Sequence, residues 1–543
     1  MVRPSPLARD LALAGALAGV MTLGWWWVRR AALAMGVLPD GDDAARLQQV
    51  RDWLAGQPFG DLAQHRFGID GLSMHWSRLA DLGPAALSAT LGAPVMLVLW
   101  PALLFAAFLF LSARIARAVG AGPVDAAVLA ALAYPATTLF APGRIDHHGL
   151  QMVLLAAFAL GLIGRRPMAG GIVAGIAAAL SVAIGMETVP VLAIGCAAAV
   201  IGWIRGEDAR IAGLGAAMLL ALAAFGALLA PGDWASAPCD GFARASWRAA
   251  SLGALTLLAL GAIGSAVTEP RGRLLAAIAA GLACAIGVAL VSPACLSPYG
   301  AVDSTLSRLW LAQVGEAQPL LAADPRWAIG YAGAGVAGLL AAAFAARDPR
   351  AWTLAALVGA GVATAFLQLR GAYAAAALAP PLVALALARA RAASPLAALP
   401  VWIVGAGLVW PLAAGALPIA DPPVIGPACD DAAQARAMRA LPPGRVLGPV
   451  DLGPWLIAAT PHHAIAAPYH RNTAGNLAAY RLFAAPPGQA RAIARSVRAD
   501  YIVACPAALA TMRVDRGLGA ALASGRSPAW LAPAGVPNVW RVR

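Results

Sequence analysis

Apolar residues in this chain neither mark one face of a surface helix nor alternate as in a strand. They run on together until a short polar break stops them. Such runs fall near 11–27, 86–112, 123–140, 149–164, 170–186, 188–204, 211–230, 248–268, 274–291, 328–345, 351–368, 372–388 and 395–416. Wound as a helix, each approaches the ~30 Å of hydrocarbon in a bilayer. Backbone groups find no water there, so a helix is the form such runs take. The pattern predicts a polytopic membrane protein of about thirteen helices. The first run ends in Trp25, Trp26 and Trp27 before Arg29 and Arg30, without a small-residue cleavage site. It reads as a retained helix with an aromatic interfacial end.

Two regions depart from this pattern, the segment 28–85 and the tail after 416. In the tail, short apolar runs beginning at Arg445, Ala464 and Tyr501 alternate with helical patterns such as Pro487 to Val497. That alternation predicts a small α/β layer. The expected fold is therefore mainly α. A transmembrane body over 1–416 includes external loops 28–85 and 292–327, and an extracytoplasmic α/β domain covers 417–543.

Composition agrees, at 61% hydrophobic and 12% charged residues with a mean hydropathy of +0.73. The net charge of +13 invites a nucleic-acid reading, and every one of the 39 basic residues is arginine. Their placement gives another meaning. Alternate loops carry Arg114/Arg117, Arg165/Arg166, Arg205/Arg210, Arg271/Arg273, Arg347/Arg350 and Arg389/Arg391, as the positive-inside rule asks of cytoplasmic connections. The opposite loops, 28–85, 231–247, 292–327 and the tail, then face outwards. The expected location is a bacterial-type inner (plasma) membrane, crossed many times, with membrane lipids and not nucleic acid as surroundings. Cys196 and Cys284 fall within runs, whereas Cys239, Cys295, Cys429 and Cys505 fall outside them. External cysteines permit disulfides, and Cys429 with Cys505, sharing one domain, is the favoured pair.

Ionisable residues gather on the outer side. The stretch Gly143 to Gln151, GRIDHHGLQ, places Asp146 and His148 two positions apart at a helix start, able to converge on one divalent ion; an ordinary polar turn is the alternative. In the first external loop Asp40, Asp42 and Asp43 precede a helical pattern, where acids also serve as caps. The same loop ends in Met74, His75, Trp76 and Arg78, a candidate interfacial segment. Glu187 and Glu316 close apolar spans, and an acid there is costly unless paired or wet. Arg370 interrupts an apolar hairpin and suits a phosphate, or else snorkels to the interface. The tail crowds Asp451, His462, His463, His470 and Arg471 into a short stretch. No H-E-x-x-H, C-x-x-C, G-x-S-x-G or Walker A sequence occurs, against a zincin, a serine hydrolase or an ATP-driven pump.

As an ordered set these motifs resemble the catalytic subunit of oligosaccharyltransferase, in particular its single-subunit archaeal and bacterial forms, within the C-type (GT-C) membrane glycosyltransferases. Asp42-Asp-Ala-Ala-Arg-Leu-Gln is similar to the family's first acidic motif, D-P-Y-Y-H-L-R, with Asp40 as the alternative register. Asp146-His147-His148 matches the D-H-H of archaeal members. Val314-Gly-Glu316-Ala-Gln-Pro319 is similar to S-V-x-E-x-Q-P without its serine. Arg370 followed by Tyr373 and Leu378-Ala-Pro resembles the arginine near the lipid donor's phosphates. The tail departs: Gly448-Pro-Val-Asp451 stands where W-W-D would read the Ser/Thr of an asparagine sequon.

The resemblance implies a glycosyltransferase moving a sugar or oligosaccharide from a polyprenyl-phosphate or pyrophosphate carrier to a glycan, lipid or protein acceptor on the outer face. Asp42, Asp146 and His148 are the implied ligands of a divalent metal, Mg or Mn. Asp42, Asp146 and Glu316 are the implied catalytic residues, and Arg370, Asp451 and His147 the implied substrate contacts. The missing tryptophans put sequon recognition in doubt. A secondary transporter or flippase of lipid-linked sugars is the alternative; it would show two repeated halves with broken helices and ionisable groups near the midplane.

Overall fold

A computed structural model describes residues 5–229, 234, 241–293, 302–419, 429–512 and 516–543. The chain divides into two compact units. One comprises Met1–Arg30, His75–Pro298 and Gly315–Leu417, and the other Ala31–Met74, Tyr299–Val314 and Pro418–Arg543. The boundaries differ from the sequence reading in one respect. Most of the first external loop and part of the loop at 292–327 group with the tail instead of with the helical body.

The first unit is helical. Among the described residues, eight helices are long and apolar enough to cross a membrane, and a pair bent by 75°, Ala398–Gly405 and Val409–Gly415, makes up to nine. His147–Ile163 and Val189–Ile204 are shorter apolar helices, and Pro349–Ala365 has 17 residues. Several expected runs are subdivided. The run at 86–112 begins in helix Arg78–Leu91 and continues in Ala93–Ala118, with Gly92 at φ +85° between them. The run at 123–140 becomes helix Pro123–Ala131 and a 3₁₀ turn, Ala136–Phe140. Proline sits in the first turn of Pro167–Ile184, Pro270–Val291, Pro325–Ala345 and Pro349–Ala365, where its missing N–H is not needed.

Small residues let these helices meet backbone to backbone. A Cβ on Gly171 would stand 2.2 Å from the Arg210 carbonyl, and one on Gly175 2.5 Å from that of Leu214. Helix Pro167–Ile184 thus packs on Asp208–Leu229. The loop arginines are local anchors as well. Arg117 grips Asp10 through two 2.7 Å bonds, and Arg210 donates to the carbonyls of Gly161 and Gly164.

The segment from His75 to Arg78 is not interfacial. Trp76 and Arg78 are fully buried, and Arg78 meets the buried Asp81 at 3.4 Å. A buried guanidinium needs such a partner, and the sequence pattern did not reveal it.

The second unit is the expected α/β layer. A five-stranded sheet has the order β4-β3-β5-β7-β6, with β3 Arg445–Leu447, β4 His463–Ala464, β5 Tyr501–Val503, β6 Leu531–Pro533 and β7 Val539–Val542. Pairing is parallel for β4, β3 and β5 and antiparallel for β5, β7 and β6. The loop at 31–74 contributes helix Gly41–Leu54 and a two-stranded pair, β1 Ala63–Gln64 and β2 Leu72–Ser73. Phe67 bridges to Ala464. Arg66 donates to the carbonyls of Ile457 at 2.8 Å, Thr460 at 2.6 Å and His462 at 3.3 Å. Leu306 and Trp310 join the tail's core beside Tyr480 and Phe483. Cys429 and Cys505 form the expected disulfide, with Cα atoms 6.2 Å apart. Cys239 and Cys295 lie outside the described residues.

Candidate functional site

Asp146 is the N-cap of helix His147–Ile163. Its backbone is extended and its Oδ1 accepts the His147 N–H at 2.6 Å. This cap aims the first turn, and with it both histidines, at neighbouring acids. His147 Nδ1 lies 2.6 Å from Asp146 Oδ1 and its Nε2 lies 3.3 Å from Glu187 Oε1. Gln151, one turn along the helix, donates through Nε2 to Glu187 Oε2 at 2.8 Å, while its Oε1 lies 3.2 Å from His148 Nδ1. His148 Nε2 lies 3.3 Å from Asp146 Oδ2. Asp146, His147, Glu187, Gln151 and His148 therefore close a ring of polar contacts.

Glu187 enters the ring from the turn after helix Pro167–Ile184. Gly185 N–H donates to the Ser181 carbonyl at 3.0 Å, and the Ser181 and Thr188 hydroxyls meet at 2.7 Å across the turn. Gly185 is confined: a Cβ there would stand 2.4 Å from Glu187 Oε2 and 2.9 Å from Gln151 Nε2.

The V-G-E-A-Q-P stretch is pinned to the Arg370 hairpin. Leu369 N–H donates to the Gln318 carbonyl at 2.8 Å, Arg370 N–H to that of Glu316 at 3.0 Å, and Leu320 N–H to that of Ala365 at 2.9 Å. The Arg370 guanidinium meets Glu316 Oε1 at 3.2 Å. One cleft is lined by His148, Gln151, Glu187, Glu316, Arg370 and Tyr373. Tyr373 continues it into an aromatic group, its hydroxyl 3.3 Å from that of Tyr331.

Candidate ligand atoms of Asp146, His147 and His148 lie within 4.8 Å of one another. At metal–ligand bonds of about 2.1–2.3 Å, neighbouring octahedral positions stand about 3.0–3.3 Å apart. The 3.3 Å between Asp146 Oδ2 and His148 Nε2 matches that spacing, and a carboxylate with an imidazole suits a divalent transition metal. The residues present fit such an ion.

Asp42 and Asp451 lie in the second unit. Asp40 is the N-cap of helix Gly41–Leu54, accepting the Asp42 N–H at 3.1 Å, and Asp43 is buried. Asp42 Oδ1 accepts from the Tyr469 hydroxyl at 3.1 Å. Of the three acids, Asp40 fills the capping role. Asp451 opens helix Leu452–Ala459, whose Pro454 and Trp455 pack against Gly41. Burial and the charges of Asp451 and Asp430 push the Asp431 carboxyl up to about 7. His462 and His463 are structural. His462 accepts the Gly444 N–H at Nδ1 and donates to the Met438 carbonyl, while His463 donates to that of Gly68.

Sequence reasoning missed Gln151 and Tyr469. Gln151 carried a usable sign: it stands three residues after His148, on the same helix face. Tyr469 carried none, being far from Asp42 along the chain.

No family model and no curated protein sequence matches this chain. Solved structures match in fold. The apo crystal structure of the Archaeoglobus fulgidus oligosaccharyltransferase aligns with a TM-score of 0.71 at 15% identity, over 92% of this chain and 69% of that one. Archaeal oligosaccharyltransferase AglB from Archaeoglobus fulgidus, in complex with an inhibitory peptide and a dolichol-phosphate, aligns with a TM-score of 0.66 at 15% identity, over 91% and 69%. The Archaeoglobus fulgidus enzyme in complex with Zn and sulfate gives 0.63 at 15% identity, over 91% and 67%. The expected fold is thereby borne out: this is a multi-pass chain with the fold of the oligosaccharyltransferases.

Proposed function

We propose that this protein is a membrane glycosyltransferase that moves a sugar or oligosaccharide from a polyprenyl-phosphate or pyrophosphate carrier to an acceptor on the extracytoplasmic face of a bacterial-type inner membrane. The observation that carries the reading is the single cleft lined by His148 of the Asp146-His147-His148 cluster and by the Glu316–Arg370 pair. The fold supports it, as does the dolichol-phosphate bound by one protein of that fold.

In the proposed reaction an acceptor atom attacks the anomeric carbon, the bond from that carbon to the phosphate oxygen breaks, and the lipid phosphate leaves. Arg370 holds the phosphate through its planar donors. Glu316 orients the acceptor and takes its proton. Asp146 and His148 would hold a divalent cation, Mg or Mn by the family resemblance. Bound there, the cation supplies neutralisation of charge on the departing phosphate. Asp42 keeps from the sequence the role of a further carboxylate required for transfer, and Asp451 that of an acceptor contact.

The test is transfer by purified protein from a lipid-linked donor extract, with product glycans and residual donor followed by mass spectrometry. Loss of transfer in Asp146→Ala and Asp42→Ala, in proteins that still insert, supports the reading. Full activity in Asp146→Ala refutes it.

A further inference from the structure

We propose that Glu187 and Gln151 are positioning residues that fix the tautomer of His148, and so prepare its Nε2 as a metal ligand. The inference rests on the metal-dependent reading above and extends it to two residues outside the ligand set.

A carboxylate only accepts, so the group that Gln151 turns towards Glu187 Oε2 at 2.8 Å must be its NH₂. That choice leaves the amide oxygen facing His148 Nδ1 at 3.2 Å. An amide oxygen also only accepts, so Nδ1 must carry the hydrogen. With Nδ1–H held by Gln151, Nε2 is the nitrogen whose lone pair a cation can take, on the side where Asp146 Oδ2 lies 3.3 Å away. A nitrogen lone pair and a carboxylate oxygen set side by side are two donors for one cation.

His147 has a different part. Both of its ring nitrogens face carboxylate oxygens, Asp146 Oδ1 and Glu187 Oε1, so both donate and neither offers a lone pair to a metal. It braces Asp146 against Glu187 and thereby holds Oδ2 on the His148 side. Glu187 acts at both ends of the ring, on Asp146 through His147 and on His148 through Gln151. Partners of this kind commonly govern the affinity of the ligands they orient.

The experiment titrates Mn²⁺ into the purified full-length protein in detergent and follows free Mn²⁺ by EPR. Wild type, Asp146→Ala, Glu187→Gln, Gln151→Leu and the double variant Glu187→Gln/Gln151→Leu are compared. Wild type should bind Mn²⁺ in a manner abolished by Asp146→Ala. Glu187→Gln and Gln151→Leu should each weaken binding by about 10–100-fold. The double variant should be no worse than the weaker single, because both act through one chain of contacts. A second readout reports the tautomer itself. In protein labelled with ¹⁵N-histidine, the metal-free His148 resonances, identified by their loss in His148→Ala, should show the Nδ1–H form in wild type and gain the Nε2–H form in Glu187→Gln. Glu187→Gln keeps the side chain's size, so it decides the matter where Gln151→Leu fails to fold. Mn²⁺ affinity within about twofold of wild type in folded Glu187→Gln overturns the positioning role and leaves the metal reading intact. So does an Nε2–H form of His148 in the wild type. Absence of Asp146-dependent Mn²⁺ binding in the wild type overturns both.

Discussion

Arg370 meets Glu316 twice, through a guanidinium-to-carboxylate contact of 3.2 Å and through a backbone bond of 3.0 Å from the Arg370 N–H to the Glu316 carbonyl. The backbone bond keeps the two residues together whatever their side chains do. Glu316→Gln is therefore expected to leave the hairpin folded and to lower the transfer rate by about 10²–10⁴-fold, the usual contribution of a placed acid or base. Single-turnover transfer with bound donor measures it. Arg370→Lys retains the charge but loses the planar fork, so donor affinity should fall even though the charge is conserved.

Gly185→Ala places a methyl group 2.4 Å from Glu187 Oε2 and 3.0 Å from His147 Nε2. Glu187 has to move. The cost to stability should be about 1–3 kcal/mol, as for other overpacked sites, and Mn²⁺ binding should weaken with it. Thermal unfolding and the Mn²⁺ titration, run on the same preparation, check both.

Asp431 makes the second unit's stability depend on pH. Its carboxyl is pushed up to about 7 from an ordinary 3.8, so between these values the folded state holds a proton that the unfolded state has released. Stability is then lost as pH rises through the window and is fully present below it. Hydrogen exchange of β3 and β5 should speed up from pH 5 to pH 7.5 in wild type and change less in Asp431→Asn. An identical pH response in the two proteins would contradict the assignment.

The disulfide closes a loop with a sequence separation of 76. Replacing Cys429 and Cys505 together by serine should destabilise the second unit by about 2–5 kcal/mol. The measurement is the denaturant midpoint of tail fluorescence with and without reductant; wild type should shift on reduction and the double variant should not.

Acceptor choice follows from the residues before Asp451. A Cβ on Gly448 would already stand 3.2 Å from Val503 Cβ and 3.3 Å from Leu452 Cδ2, which leaves no room for an indole there. A pocket that rejects substrates lacking a hydroxyl has to be built to satisfy that hydroxyl. The protein is expected not to discriminate Asn-x-Thr from Asn-x-Ala peptides when supplied with its own lipid-linked donor. Side-by-side transfer to both peptides and to a membrane-lipid extract is the assay, and a clear preference for Asn-x-Thr would overturn the expectation.

Much of the fold was legible because a bilayer imposes one simple demand, an apolar run of sufficient length. Where runs were mislocated, local chemistry intervened: Gly92 takes a backbone angle that ends one helix before the next begins. The Cys429–Cys505 bond was legible from shared domain membership. Arg78 was misread because an arginine close to tryptophan looks interfacial, whereas it is buried and pairs with Asp81 one turn along its own helix. At the site, Asp146 and His148 announced themselves by adjacency, and Glu187 by sitting at the end of an apolar span. Their union was not legible, since Glu187 reaches His147 across 40 positions. His462 and His463 were conspicuous in sequence and turned out to serve backbone groups, as crowded polar residues in a small sheet often must.

The bonds from Arg66 to carbonyls 391 to 396 positions later impose a rule of parity on the whole chain. Arg66 and its acceptors must emerge on the same side of the bilayer, so the segments between them cross it an even number of times. During synthesis the loop waits for nearly the entire chain before its acceptors arrive. Loss or inversion of any one crossing helix would deliver the tail to the wrong compartment, with Arg66 left behind on the other side.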